Sequence, residues 1–385
     1  MSVVVSSVHS ASPLDKRALA AALSLRDLTD SAEGAHALQL VVEAVTRALA
    51  TRWNAEVVVH RGSPLVTVAD NYDRLQYPSD AVARDGRYTR YAGDGIVLRT
   101  QTSALVPGGL ERVAKRAASD TLLVCPGLVY RRDSIDRMHV GEPHQLDLWR
   151  VRRGRRLGAE DLREMIASVV AAALPGREHR VTEAVHPYTQ HGLQIDVREG
   201  TTWVEIGECG LAHPAVLAGT GHDAETSGLA MGLGLDRIVM LAKGLDDIRL
   251  LRAADPRIAA QMADLSPYRR VSSMPPIRRD LSIATSSDTS PEALGDRVRA
   301  ALGGRAAAIE SIDVVSETES AALPKVAIER LGLSPGQRNV LVRVVLRDLE
   351  RTMTHEEANE LRDAIYESLH EGTRWEWAGL RRHEG

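Results

Sequence analysis

Apolar residues recur at helical spacing from His36 to Trp53, where Leu38, Val41, Val42, Val45, Ala48, Leu49 and Trp53 share one face. A period near 3.6 residues predicts an amphipathic helix there. A shorter helical piece is expected before it, with Ser12 as cap, Pro13 at the first helical position and Asp15 at the positive end. The pattern then changes to a strand, Asn54 to His60, broken by Gly62 and Pro64. From Asp70 to Asp147 it suggests short strands and polar turns rich in Arg, Asp and Gly. A helix follows over 159–174 and is stopped by Pro175 and Gly176. Strands are expected at Gln194–Val197 and Thr202–Ile206, and GLAMGLGLDRIVMLAKG (228–244) reads as a strand running into a helix closed by Gly244.

Beyond a polar, Pro-containing linker at 264–278, the alternation becomes compact. A strand at 280–285 leads to a helix from Ser290-Pro291 to Leu302, then a strand at 308–315 and a loop excursion through 317–336. A strand at 339–347, a helix opening at Thr354 with Glu357 at capping-box spacing, and a short strand near Trp375–Ala378 complete the series. βαββαβ in about one hundred residues is a ferredoxin-like pattern. The expected organisation is therefore an N-terminal helical segment (1–34), a large α+β domain (35–265) and a smaller α+β domain (275–385).

Composition narrows the function classes. The 385 residues are 44% hydrophobic and 26% charged, as in an ordinary folded protein, and the net charge is −4. That balance gives no global attraction to nucleic acid or acidic membrane. No apolar run is long enough to span a bilayer, and the start, MSVVVSSVHS, lacks a signal-peptide pattern. Cys125 and Cys209 are the only cysteines, too few for a disulfide framework or a zinc site, so a reduced, cytoplasmic protein is expected. His186 and His191 are not at metal spacing, and Cys209 beside glycines reads as a small packing residue. Arginine outnumbers lysine 44 to 4 and phenylalanine is absent, so Leu, Val, Ile and Ala must fill the core. The missing phenylalanine fits either genome-wide bias or selection for translation when charged tRNA for that residue is scarce.

Four segments carry the chemistry: LRTQTS (98–103), VYRRDSIDRMHVGEPHQLD (129–147), WVEIGECGLAHPAVL (203–217) and the glycine stretch ending in Asp236-Arg237. Arginines at strand ends suit phosphate, because the guanidinium fork matches its oxygens. An acid such as Glu205 could hold Mg²⁺ between phosphates, and glycines at 232 and 234 allow close approach of a planar group. Together these features suit a nucleoside triphosphate on an antiparallel sheet. The competing reading is of solvated arginines and turn glycines.

In chain order, the four segments resemble the catalytic core of phenylalanyl-tRNA synthetases, which are class II aminoacyl-tRNA ligases. The likeness runs from DNYDRL (70–75) to DDIRLLRAADPR (246–257). PPIRRDLSI (275–283) and RTMTHEEANELRDAI (351–365) resemble the family's ferredoxin-fold anticodon-binding domain, and YRRDSID (130–136) is similar to the single-chain type. The resemblance implies an α+β fold with an antiparallel sheet flanked by helices. It implies ATP and Mg²⁺ as cofactors, and an amino acid and tRNA as partners, with monomer and homodimer both open.

By position, the resemblance assigns Arg131 to the ATP α-phosphate and Arg237 to the γ-phosphate. Glu205 would take Mg²⁺, His139 the nucleotide, and Asp133 stands where motif 2 usually has Glu. Gln101, Ser103, Gln145 and Asp147 would orient the amino acid's ammonium and carboxylate, with Gly232 and Gly234 beside the nucleotide. Ala230 is retained in the side-chain pocket. The usual Phe-Pro-Phe element is His186-Pro187-Tyr188, the aromatic pair around Ala230 becomes Leu229 and Met231, Pro143 replaces an adenine-stacking Phe, and Glu208 inserts a charge. The implied reaction is amino-acid activation with transfer to tRNA. The alternatives are transfer of a different amino acid to a carrier protein, peptide or small molecule, or a non-catalytic binding protein. The segment from Pro267 to Gly385 holds 17 basic and 19 acidic residues, a net −2 that gives tRNA little electrostatic support. No segment resembles an editing module, so no proofreading is expected.

Overall fold

The computed structural model describes residues 13–132, 134–271, 275–286 and 289–375. Among the described residues there are thirteen strands. They are β1 (Glu56–Val59), β2 (Leu65–Thr67), β3 (Tyr91–Gly93), β4 (Ile96–Leu98), β5 (Asp120–Leu128), β6 (His144–Arg153), β7 (His179–Glu183), β8 (Thr189–Glu199), β9 (Thr202–Ala212), β10 (Thr226–Gly234), β11 (Ile277–Ser286), β12 (Ile309–Glu319) and β13 (Gln337–Leu346). Two compact units contain them: residues 1–131, 142–246 and 259–268 form the first, and 132–141, 247–258 and 269–385 the second.

The first unit is built on a seven-stranded sheet ordered β1-β5-β6-β10-β9-β8-β7. Only β1 and β5 pair in parallel; every other neighbour is antiparallel. Strands β2, β4 and β3 form a small separate sheet. The helix Ala37–Trp53 buries Leu38, Val41, Val45, Leu49 and Trp53, the face its periodicity defines. His36 caps it, its ring accepting a hydrogen bond from the Leu38 amide. The helix Ala159–Ala173 buries Leu162, Met165, Ile166, Val169 and Val170. The glycine stretch forms β10 and then the helix Leu235–Lys243, which Gly244 closes at φ +65°, a left-handed conformation that favours glycine.

Several expectations are corrected here. Asp15, not Ser12, caps the first helix (Lys16–Leu23), because its carboxylate accepts from the Ala18 amide. Pro13 precedes that helix, and Ser12 lies outside the described residues. The region from Asp70 to Asp147 holds a helix, Val106–Ala114, and the long central strand β5. β5 is buried almost throughout, so it lacks the alternation that marks a strand with one face in water. β8 and β9 are hairpin partners of 11 residues each, longer than expected because exposed Gln190 and His191 lie near the start of β8 and Gly207, Glu208 and Gly210 break the apolar pattern of β9.

The second unit is a three-stranded antiparallel sheet ordered β11-β13-β12. The helices Pro291–Leu302 and His355–Leu369 pack against it, with Leu294, Val298, Ala358, Leu361 and Ile365 meeting Leu281, Ile283, Val340, Val342 and Val344. Thr354 and Glu357 make the expected capping box. The excursion expected as loop contains a helix, Lys325–Leu331, and β12 runs on to Glu319. Most of the expected strand near Trp375–Ala378 lies outside the described residues.

Candidate active site

The site is written in the register of the central strands. Cys125, Asp147, Gly232, Glu208 and Gln194 are successive cross-strand partners on β5, β6, β10, β9 and β8. Cross-strand partners share a face of the sheet, so these five residues form one row. Two positions along lies a second row on that face, Leu123, Trp149, Ala230 and Gly210. A third row on the other side holds Gly127, Gln145 and Gly234. At this end of the sheet both β5 and β10 finish, so Arg131 and Arg237 leave the sheet on the same side.

Asp147 is the centre of the polar network. The Thr102 hydroxyl donates to its Oδ2 at 2.7 Å, the Ser103 hydroxyl lies 3.0 Å from each oxygen, and Trp149 Nε1 donates to Oδ1 at 3.3 Å. Burial pushes the Asp147 carboxyl up to about 6, against the pull of these donors and of Arg131. Gln145 accepts from the Thr102 amide at 3.3 Å, and Tyr77 donates to Gln101 Oε1 at 3.2 Å while Gln101 donates to the Asn71 carbonyl. A single helical turn, Thr102–Leu105, delivers both hydroxyls to the strand. Gln101, Ser103, Gln145 and Asp147 are thus brought together. Thr102 and Tyr77 join them; their signal in the sequence was adjacency to Gln101 and to the DNYDRL segment.

Arg131 Nε donates to the Thr100 carbonyl at 2.8 Å, and its own carbonyl accepts from Arg90 at 3.0 Å. Arg237 Nη1 donates to the Glu205 carbonyl at 3.2 Å and lies 3.6 Å from the Glu205 carboxylate. Glu205 sits beside the β8–β9 bulge, opposite Asp196, and its side chain remains 42% exposed. Among the described residues no group of three or more His, Cys, Asp or Glu side chains converges as a metal cage. One accessible carboxylate suits Mg²⁺, which takes most of its ligands from phosphate and water. His139 belongs to the second unit, where its Nδ1 is 2.7 Å from Asp136 Oδ2. Asp133 lies outside the described residues.

The helix carrying Arg237 is anchored by a buried pair that the sequence reading missed. The backbone N–H and ring Nδ1 of His144 both meet the Asp236 carboxylate, and His144 Nε2 accepts from the Leu28 amide at 3.1 Å. Accepting at Nε2 puts the ring proton on Nδ1, aimed at Asp236. Replacing Asp236 by Ala removes a buried acceptor from two donors, and is expected to cost about 3 kcal/mol of stability. Urea unfolding of the variant against the parent measures it.

The side-chain region departs from a simple ring pocket. Trp149 and Ala230 are fully buried and pack in one cluster with Tyr188, which is 7% exposed. Tyr188 meets Trp149, Tyr77 and His186 at ring-centroid distances of 6.2, 6.4 and 5.9 Å. Burial pushes the phenol of Tyr77 up to about 12, and that of Tyr188 upward as well. His186 Nε2 lies 2.7 Å from Glu208 Oε2. Leu229 and Met231 point to the opposite, helix-covered face and are buried there, so they are not beside the row. Cys209 shares that face, 2% exposed, its thiol pushed up to about 12 by burial; this is a packing role.

A large antiparallel-dominated sheet with flanking helices, a polar row at its centre and arginines at one end defines the class II synthetase core. Residues 23–262 match the family described as tRNA synthetases class II core domain (F), and the chain belongs to that family. It is 35% identical over 204 residues to the phenylalanine--tRNA ligase alpha subunit of Prochlorococcus marinus (strain MIT 9313), covering 53% of this chain and 59% of that protein. The alpha subunit from Nostoc punctiforme is 34% identical over 204 residues (53% and 60%), and that from Bacillus pumilus 33% over 217 (53% and 62%). The chain therefore spans about 60% of the length of these curated relatives.

Proposed function

We propose that the chain activates an amino acid with ATP, as an aminoacyl-adenylate, and transfers it to tRNA. The observation that carries this reading is the placement of Arg131 and Arg237 at one end of the sheet whose centre holds the Asp147 network. An α-ammonium group would meet Asp147, with Gln101, Ser103 and Gln145 orienting the rest of the α-amino acid. The amino-acid carboxylate then attacks the ATP α-phosphate, the bond to the β-phosphate breaks, and pyrophosphate leaves. Arg131 at the α-phosphate and Arg237 at the γ-phosphate balance the developing charge. When bound, Mg²⁺ neutralises the phosphates, and Glu205 is the residue that would hold it. Gly232 and Gly234 would lie under the nucleotide.

The relatives' printed names, phenylalanine--tRNA ligase alpha subunit, support ligase chemistry on tRNA. In this reading residues 35–265 are the catalytic domain and 275–385 a ferredoxin-fold anticodon-binding domain. The β11-β13-β12 order, with a helix following β11 and another following β13, supports that fold for the smaller domain. Among the described residues no helix is long and apolar enough to cross a membrane, and a cytoplasmic enzyme is the reading adopted. The altered side-chain region and the net −2 of the C-terminal segment favour one second reading, transfer to a carrier protein, peptide or small molecule.

ATP–pyrophosphate exchange, run against each amino acid without tRNA, tests activation. Exchange with one amino acid, followed by acid-labile attachment of that residue to tRNA, is the expected result. Exchange without any aminoacyl-tRNA would move the acceptor to the second reading, and loss of exchange with retained ATP binding would leave a binding protein.

A further inference from the structure

Glu208 is a charge placed in the amino-acid site that the activation chemistry does not use. Its carboxylate stands on the same face as Asp147, with Gly232 between them. Two interstrand steps put the Glu208 and Asp147 backbones about 10 Å apart. The space over the intervening residue is open: a Cβ built on Gly232 meets only Asp147 Oδ2, at 4.0 Å. Glu208 itself is 38% exposed, whereas His186 beside it is 10% exposed.

The His186 ring keeps that negative charge in place. Its Nε2 is within hydrogen-bond distance of Glu208, and its Nδ1 is buried with no hydrogen-bond partner. A proton on Nδ1 would be stranded there, so hydrogen-bond accounting favours a neutral ring that donates Nε2–H to Glu208. The pair then carries a net negative charge on the same face of the sheet as Gly232. Along the other direction of the sheet, Ala230 is fully buried, is the cross-strand partner of Trp149, and packs in one cluster with Trp149 and Tyr188. Trp149 is locked by its hydrogen bond to Asp147. With Ala230 fully buried, an aromatic substrate side chain reaching it would have to displace part of that cluster.

We propose that Glu208 determines the substrate's side chain, and that the activated amino acid is a short diamino acid. Its α-ammonium lies at Asp147, its chain crosses Gly232, and its side-chain ammonium meets Glu208. This inference rests on the proposed activation reaction and deepens it by naming the substrate class. A carboxylate beside the substrate's side chain discriminates, because a side-chain ammonium gains a charge-assisted hydrogen bond to it that a neutral side chain cannot make.

Pyrophosphate exchange with the full-length protein tests the assignment. The substrates are 2,3-diaminopropionate, 2,4-diaminobutyrate, ornithine and lysine, with 2-aminobutyrate and norvaline as neutral counterparts and phenylalanine and tyrosine as aromatic ones. One of the diamino acids is expected to show a kcat/KM at least 100-fold above its neutral counterpart and above phenylalanine. Glu208→Gln should collapse that ratio to less than tenfold, mainly through KM, whereas Glu208→Asp should keep most of it. Phenylalanine or tyrosine as the best substrate, with unchanged selectivity in Glu208→Gln, overturns the inference and leaves activation standing. Calorimetric titration with diaminoacyl- and phenylalanyl-sulfamoyladenosines reads the same preference without turnover. Tighter binding of the diaminoacyl analogue with no exchange would retain the substrate class and reject catalysis. Absence of that preference would reject the substrate class whatever the exchange assay gives.

Discussion

Replacing Arg237 by alanine is expected to lower ATP–pyrophosphate exchange by a factor on the order of 10³ or more, the scale of an arginine that stabilises charge in phosphoryl transfer. Arg237 is in the first turn of the helix Leu235–Lys243, and its guanidinium is turned toward Glu205 by the bond to that residue's carbonyl. It is partly exposed, so its removal opens no core cavity and the melting temperature should move by only a few degrees. The loss should fall on kcat/KM for ATP and be only partly restored by Arg237→Lys, because an ammonium cannot reproduce the two-pronged contact. Full exchange activity in Arg237→Ala, measured at saturating amino acid, would remove the activation reading. Glu205 would have to lose its bond to Arg237 in the same variant, so a Mg²⁺ titration of the variant shows whether the two residues act as a unit.

The place of Arg237 in the fold, at the start of a helix that follows a strand, was legible in the sequence. β10 had to stop at Gly234, where the apolar alternation gives way to the helical spacing of Ile238, Val239 and Leu241. Two second-unit helices were legible for the same reason, since each has a marked start, Ser290 before Pro291 and Thr354 with Glu357; the helix Lys325–Leu331 has no side-chain cap and was not. β5 was not, because burial on both faces erases the period of two. The cross-strand row could not be read at all. Asp147, Gly232 and Glu208 lie on three different strands, and only the pairing register brings them together. The exchange of Phe-Pro-Phe for His186-Pro187-Tyr188 was visible in the sequence, but not that His186 would turn to Glu208. Nor was it visible that Trp149 would pack with Tyr188 and Ala230 in one buried cluster. Packing decided that, through an indole N–H that needed an acceptor and found Asp147.

Asp147 yields a second large effect, in both activity and stability. Its carboxyl is raised to about 6 in the folded protein from an ordinary 3.8. Binding an α-ammonium requires the ionised form, so kcat/KM for the amino acid should fall about tenfold per pH unit below 6 and level off above it. Asp147→Asn should abolish that limb and raise the amino-acid KM at pH 8 by at least 100-fold, because the fixed negative charge is gone. The same shift acts on folding with a definite sign. The native protein keeps this proton to a higher pH than the unfolded chain does. The resulting contribution is fully present below pH 3.8 and is lost as pH rises through 6. A shift of about two units corresponds to roughly 1–3 kcal/mol. Urea unfolding of the parent between pH 4 and 7.5 should therefore show a loss of that size relative to Asp147→Asn. If the two proteins instead ran parallel across the range, Asp147 would be ionised in the folded state at pH 4, and the limb in kcat/KM would have to come from another group.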